Sequence, residues 1–285
     1  MNIAVVTDSV AYLTKDEIEA LNIYVLPLSI AFKDKTYMEG EEIKPSEFYD
    51  LVRGAKELPK SSQPSVGQTM ALFEKLSKDY DAVISIHLSS EISGTYQTVA
   101  SLNGEFDNFT VYAVDSRRAC GAQAQLVKEA VRLARENVSP ENIIEKLNTM
   151  IAAQNAFFLV DDLMHLQKGG RLSTGSAVIG SMLNIKPILT IDGKIVPTEK
   201  IRTFKKGISR ITELFQDHVN QYDVPFTATI HHANRLDVAQ EWKEELEKQF
   251  PQVTFNIVEF GAVIGTHLGE KSMGMIFGPT TSEEL

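Results

Sequence analysis

Short β-branched runs alternate with amphipathic stretches through the first half of the chain. IAVVT, YVLPLSI, DAVISIHL and TVYAVDS read as strands, several of them apolar without a break, as strands buried on both faces are. Between them lie helix patterns. PSEFYDLVRGA opens on Pro45 and Ser46, and SVGQTMALFEKLSKD opens on a capping box, Ser65 with Gln68 three residues on. In GAQAQLVKEAVRLAREN, Leu126, Ala130, Leu133 and Ala134 share one stripe. The alternation predicts an α/β/α half with a mainly parallel sheet.

The style changes after a long helix ending near Ala153. FFLVDDL reads as a strand, and KPILTIDGKIVPTEKI as a hairpin turning at Asp192-Gly193, where a tight turn wants positive φ. A helix over about Phe204–Asn220, the strand FTATIHHA, the helix RLDVAQEWKEELEKQF and the strand VTFNIVEF follow. Hairpins mixed with helices predict an α+β second half on a mixed sheet. The expected domains are 1–153 and 154–285.

Composition narrows the function. The chain has 285 residues, enough for two domains. A net charge of −10 argues against nucleic acid as the partner. One local exception is the basic strip Lys200, Arg202, Lys205, Lys206 and Arg210, with no acid among them. A single cysteine, Cys120, excludes an internal disulfide and any multi-cysteine metal site, and it reads as a small buried residue at a helix start. No metal site or cofactor is predicted. The N-terminus carries no basic leader, and no apolar run reaches the ~18 residues of a membrane span. A cytoplasmic protein is expected.

Several motifs come close to chemistry and miss. GTHLGEKS ends in Lys-Ser like a phosphate loop, but Glu270 stands where glycine must precede the lysine, so a glycine turn between two strands is the better reading. GGRLSTG lacks the first glycine of a hydrolase elbow, with Leu172 in its place. Asp161 and Asp162 are adjacent and read as a strand-end turn, not a metal pair. His231 and His232 diverge on a strand, one of them a surface or helix-entry residue.

HLSSEISGTYQTV differs from these. Its SSEISGT is the turn between a strand and a helix, where unpaired N–H groups and hydroxyls favour an anion. Serines also cap helices and fill turns, which explains many such clusters. A second hydroxyl-rich turn, SSQPSVG, strengthens the anion reading, since both can point to the C-terminal edge of the sheet. With no glycine-rich loop sized for a diphosphate, a small anion such as a carboxylate fits.

In order and spacing, VTDSVAYLT, SSQPSVGQ, HLSSEISGTYQTV, VDSRRACGAQ, KGGRLSTGSAVIGSMLNIKPIL, EKIRTFKKG and GAVIGTHLGEKSMG resemble the DegV family of bacterial fatty-acid-binding proteins, over nearly the whole chain. The resemblance implies a two-domain acyl carrier that presents a long-chain fatty acid to a separate fatty acid kinase, which makes an acyl phosphate for phospholipid synthesis. It implies a non-catalytic subunit with no membrane span and at most transient contact with a membrane surface. The family's carboxylate contacts map onto Ser62, Ser93, Gly94, Thr95 and His267. Arg171 and Arg202 are placed at the exposed end of the site, for the partner or phosphoryl step. Two departures stand out: Ser62 where threonine is usual, and Glu270-Lys271 where the last motif commonly has Pro-Gly. For the tail, SAVIGSMLNIKPIL and Phe157–Phe158 are candidate wall residues. Two other classes compete: a serine esterase or thioesterase using Ser93 with His267 as base, and a lipid-sensing regulatory module.

Overall fold

Strand β1 (Ile3–Asp8) sends Val5 to one face and Ala4 and Val6 to the other, and all three are buried. The run YVLPLSI, expected as one strand, is two, because Pro27 has no N–H to give a ladder. Its first part, β2 (Ile23–Leu26), lies parallel to β1. Its second part, β3 (Ser29–Phe32), leaves for a separate antiparallel sheet with β4 (Lys35–Met38) and β5 (Lys60–Ser62). Strands β6 (Ala82–His87) and β7 (Thr110–Asp115) complete a four-stranded parallel sheet of order β2-β1-β6-β7. The computed structural model describes residues 1–55, 57–173 and 185–283.

Helices cover both faces of that sheet. Cys120–Arg135 and Pro140–Ala153 bury the stripe of Leu126, Ala130, Leu133 and Leu147 on one side. Val66–Leu76 and Thr95–Ala100 bury Phe73, Leu76 and Val99 on the other. The capping box predicted at Ser65 and Gln68 is formed.

The C-terminal half builds a mixed sheet from β8 (Asn155–Leu159), β9 (Lys186–Asp192), β10 (Lys194–Ile201), β11 (Phe226–His232), β12 (Thr254–Glu259) and β13 (Met273–Pro279). Its order is β10-β9-β8-β13-β11-β12. Strands β11 and β12 pair in parallel, and the other four neighbouring pairs are antiparallel. Gly193 turns the β9–β10 hairpin at φ 73°, as its position predicts. Helices Phe204–Val219 and Leu236–Gln249 close one face over Phe215, Trp242 and Phe277. The fold class is the predicted one: a parallel sheet in the N-terminal part and a mixed sheet in the C-terminal part.

Two local readings change. GTHLGEKS does not turn between two strands: its first residues end a short helix, Ala262–Leu268, which leads to β13. Ser61 and Ser62 sit on a strand rather than in a turn, paired with Ile30 and Ser29 of β3. Their small sheet brings both serines to the same cavity as Ser93, in the turn that follows β6. The remaining hydrophobic cluster fills the space between the sheets, joining Ile30 and Tyr49 to Phe158, Ile191, Phe260 and Leu268.

Candidate functional site

A cavity of about 320 Å³ opens in that central cluster, within the ~300–1,000 Å³ usual for small-molecule sites. Its wall is mostly apolar, with Leu28, Leu88, Ile92, Phe158, Ile191 and Phe260 among the lining residues. Polar side chains reach it from three separate elements. Ser61, Ser62 and Gln63 come from β5 and the loop after it, Ser93 from the turn after β6, and His267 from the helix Ala262–Leu268.

The hydroxyls and the histidine form two groups. Ser61 Oγ lies 2.7 Å from His267 Nε2. Ser93 Oγ lies 2.9 Å from Thr95 Oγ1, so Thr95, itself buried, aligns Ser93 and is not among the described residues lining the cavity. Gly94 lines the cavity, and a side chain there would have to displace Gln63. A Cβ there would meet Gln63 Oε1 at 2.2 Å, and Gln63 is pinned by its Nε2 donating to Thr98 Oγ1 at 2.6 Å. The serine that meets His267 is Ser61, whereas the family resemblance points to its neighbour Ser62. Period-2 alternation on a strand gives the two serines different surroundings, a signal hidden while the segment was read as a turn.

Electrostatics favour an anion here. Burial, then Arg171 and His165, holds the His267 ring down to about 4, so the empty site keeps it neutral near pH 7. Arg171 lines the cavity, and its guanidinium donates to the carbonyls of Ile92 (3.0 Å) and Gly169 (2.7 Å). Neither partner is charged, so its positive charge is left facing the site. Arg202 is elsewhere: exposed between β10 and the helix Phe204–Val219, it is not among the described lining residues. The basic strip is also smaller than its sequence suggests. Arg210 is neutralised by Glu199 at 3.0 Å and Glu213 at 2.8 Å.

The helix carrying His267 is anchored from two sides. Buried Glu39 accepts from the Val263 N–H (2.8 Å) and from the Ser9 hydroxyl (2.7 Å). Tyr49 donates its hydroxyl proton to the Phe260 carbonyl at 3.0 Å. Burial pushes the Glu39 carboxyl up to about 7 despite these donors. Beyond His267, the unusual Glu270 is answered by Arg53 at 2.8 Å and by the Asn234 amide at 2.7 Å. The Arg53 guanidinium holds the Glu270 carboxyl below the usual carboxylate range. Lys271 adopts φ 70°, the left-handed conformation that glycine takes without cost.

The tail candidates divide. Phe157 and Phe158 line the cavity, as does buried Cys120. Of SAVIGSMLNIKPIL, residues 176–184 lie outside the described residues, and Leu189 packs in the surrounding cluster.

The Ser93–His267 pair of a hydrolase is not formed among the described residues. Ser93 faces Thr95 rather than His267, and His267 Nδ1 has no hydrogen-bond partner among the described residues, so no carboxylate orients the ring as a general base needs. A complete Ser–His–Asp relay does exist elsewhere. Ser85 Oγ lies 2.7 Å from His87 Nε2, and His87 Nδ1 lies 2.9 Å from Asp8 Oδ2. All three are 0 % exposed inside the parallel sheet, and none lines a described cavity. No group of three or more possible metal-ligating side chains occurs among the described residues. No described helix is long and apolar enough to cross a membrane.

A family model described as "Uncharacterised protein, DegV family" matches residues 2–280. The chain belongs to the DegV family. It is 49 % identical over 277 residues to Protein DegV of Bacillus subtilis, covering 96 % of this chain and 98 % of that protein. The crystal structure of DegV from Bacillus subtilis, described as a fatty acid binding protein, superposes with a TM-score of 0.92 at 48 % identity, covering 98 % of this chain and 99 % of that one. A fatty acid binding DegV family protein from Streptococcus agalactiae superposes at 0.91 with 36 % identity, over 98 % of this chain and 99 % of that one.

Proposed function

We propose that this DegV family protein is a fatty-acid carrier. A long-chain fatty acid lies with its tail in the central cavity and its carboxylate at the cluster of Ser62, Ser93, Gly94 and His267, with Ser61 as a further donor through its histidine contact. The observation that carries this reading is the cavity itself: an apolar wall with hydroxyls, a histidine and an arginine converging from separate elements. The relatives described as fatty acid binding support it at high identity. Burying the tail gains about 0.8 kcal/mol per methylene, and the charge-assisted hydrogen bonds orient the head.

The carrier is itself non-catalytic and needs no cofactor. It acts in the cytoplasm, touching membrane surfaces at most transiently, and presents the carboxyl group to a fatty acid kinase that transfers phosphate from ATP. The regions 1–153 and 154–285 act as the two domains of this carrier, the first supplying the serine strand and the serine turn and the second completing the pocket. Arg171 and Arg202 serve the partner step: planar guanidinium groups suit phosphate, with Arg171 at the cavity beside the hydroxyl cluster and Arg202 exposed outside it. The test supplies kinase and ATP to Arg171→Ala and Arg202→Ala. Both variants should retain bound fatty acid and lose acyl-phosphate formation. Loss of the lipid itself would move the arginines into the cradle, and normal phosphorylation would remove them from the partner step.

A further inference from the structure

The hairpin of β9 and β10 reaches across to the turn that carries Ser93, and the two meet at Ser89, which is 0 % exposed. The Ser89 N–H donates to the Arg118 carbonyl at 2.7 Å, and its own carbonyl accepts from the N–H groups of Ile92 and Ser93, each at 3.1 Å. Its hydroxyl donates to the Gly193 carbonyl at the hairpin tip, 2.8 Å away, and accepts from the Glu91 N–H at 3.3 Å. One residue thus closes the turn on itself and ties it to the other half of the chain.

The hairpin is fixed from its tip and from its flank. The Gly193 N–H donates to the Arg117 carbonyl at 2.8 Å. Beside it, Asp192 accepts from the buried Arg118 guanidinium at 2.7 Å and from Arg117 Nε at 3.1 Å. The other arm of Arg118 donates to the Gln154 carbonyl at 2.9 Å. Along the flank, the Ile195 carbonyl accepts from the Ser173 N–H at 3.1 Å, and two residues before Ser173 the Arg171 guanidinium donates to the Ile92 carbonyl at 3.0 Å. The hairpin therefore meets the turn twice, at Ser89 through its tip and at Ile92 through the segment it binds. Ile92, Ser93, Ile191 and Ile195 all line the cavity, whereas Ser89 is not among the described lining residues.

A hydrogen bond weakens steeply as its distance and angle drift, so a donor serves a ligand well only when its own support is rigid. We infer that Ser89 is a positioning residue for the head-group site: through it the hairpin fixes Ser93 Oγ for a carboxylate, and the preference for a free acid over an uncharged head depends on that tie. This rests on the fatty-acid reading above and adds a residue that itself touches no ligand.

The test is displacement of a fluorescent fatty acid by hexadecanoate and by hexadecanol, from the wild type, Ser89→Ala, Ser93→Ala and the double variant. Ser89→Ala should weaken hexadecanoate about threefold to tenfold, the range of one neutral hydrogen bond, and change hexadecanol by less than about twofold. With Ser93 already replaced, the second substitution should cost the acid less than about twofold, because Ser89 acts through Ser93. If Ser89→Ala fails to fold, Asp192→Ala decides. Its side chain is 62 % exposed at the hairpin tip, and its removal should lower the acid-to-alcohol ratio about twofold with hexadecanol binding unchanged. Equal losses for acid and alcohol, a full further loss in the double variant, or an unchanged ratio in the deciding variant would each overturn the inference. A wild type that binds hexadecanol as tightly as hexadecanoate would contradict the carboxylate reading itself.

Discussion

Ser85 and Ser61 each place a hydroxyl 2.7 Å from a histidine Nε2, yet the two contacts differ in what is left unpaired. In the sheet, His87 Nδ1 meets Asp8, and Asp8 also accepts from the Leu88 N–H (3.1 Å) and the Val10 N–H (3.1 Å). Each group there has a partner, and each side chain is sealed from solvent. At the cavity, His267 Nδ1 has no described partner, Ser93 is half-buried and the partners of Arg171 among the described residues are neutral carbonyls. The sealed relay has a hydrolase's distances and cannot receive a substrate. Among the described residues the open cluster lacks a hydrolase's third member, and it retains capacity for an anion. Site chemistry is thus set by the unsatisfied groups and their access, more than by which residue types touch.

The largest expected effect comes from breaking the sealed relay. Asp8→Ala strands the Val10 and Leu88 N–H groups and His87 Nδ1 together, each worth about 1–3 kcal/mol. Denaturant unfolding should show a loss of at least ~3 kcal/mol, while fatty-acid affinity per folded molecule stays unchanged. An affinity loss without a stability loss would mean that the relay belongs to the site.

The open cluster should respond in the opposite sense. Ser61→Ala and Ser93→Ala each remove a donor worth about 1.5–3 kcal/mol toward a carboxylate, roughly tenfold or more in affinity, with stability changed by less than about 1 kcal/mol. Displacement titration of both variants alongside their melting curves checks the split.

A smaller effect sharpens the comparison through pH. His267 is held at about 4 in the fold against an ordinary 6.5, so the unfolded chain binds the proton first and stability falls as pH drops from about 6.5 toward about 4. His267→Gln should flatten that part of the profile by about 2 kcal/mol, after allowance for partial exposure. Glu39, pushed up from 4.5 to about 7, gives a slope of opposite sign across that interval, so the quantity to read is the difference between variant and wild type. An identical slope in both would show that the ring is not buried as described.

How much the sequence discloses follows the physics of each segment. The parallel sheet was legible because its strands are buried on both faces and read as unbroken apolar runs. The small sheet was not: β4 is half polar, β5 is three residues long, and Pro27 hides a change of sheet inside one apolar run. The helix Ala262–Leu268 was masked by glycines at 261, 265 and 269. Ser62, Ser93 and His267 came from family resemblance, whereas the Ser61–His267 contact spans 206 positions and only tertiary structure exposes it. Arg210 looked unpaired because its main partner, Glu199, stands one residue before the basic strip.

The central claim, that the cavity holds a fatty acid by its carboxylate, is tested most directly on the protein as purified. Organic extraction of the natively isolated chain, followed by mass spectrometry and quantitation against protein, should yield about one free long-chain fatty acid per chain, and markedly less from Ser93→Ala. A natively purified protein that carries no fatty acid and takes none up on titration, or one that carries only lipids without a free carboxyl group, would contradict the account.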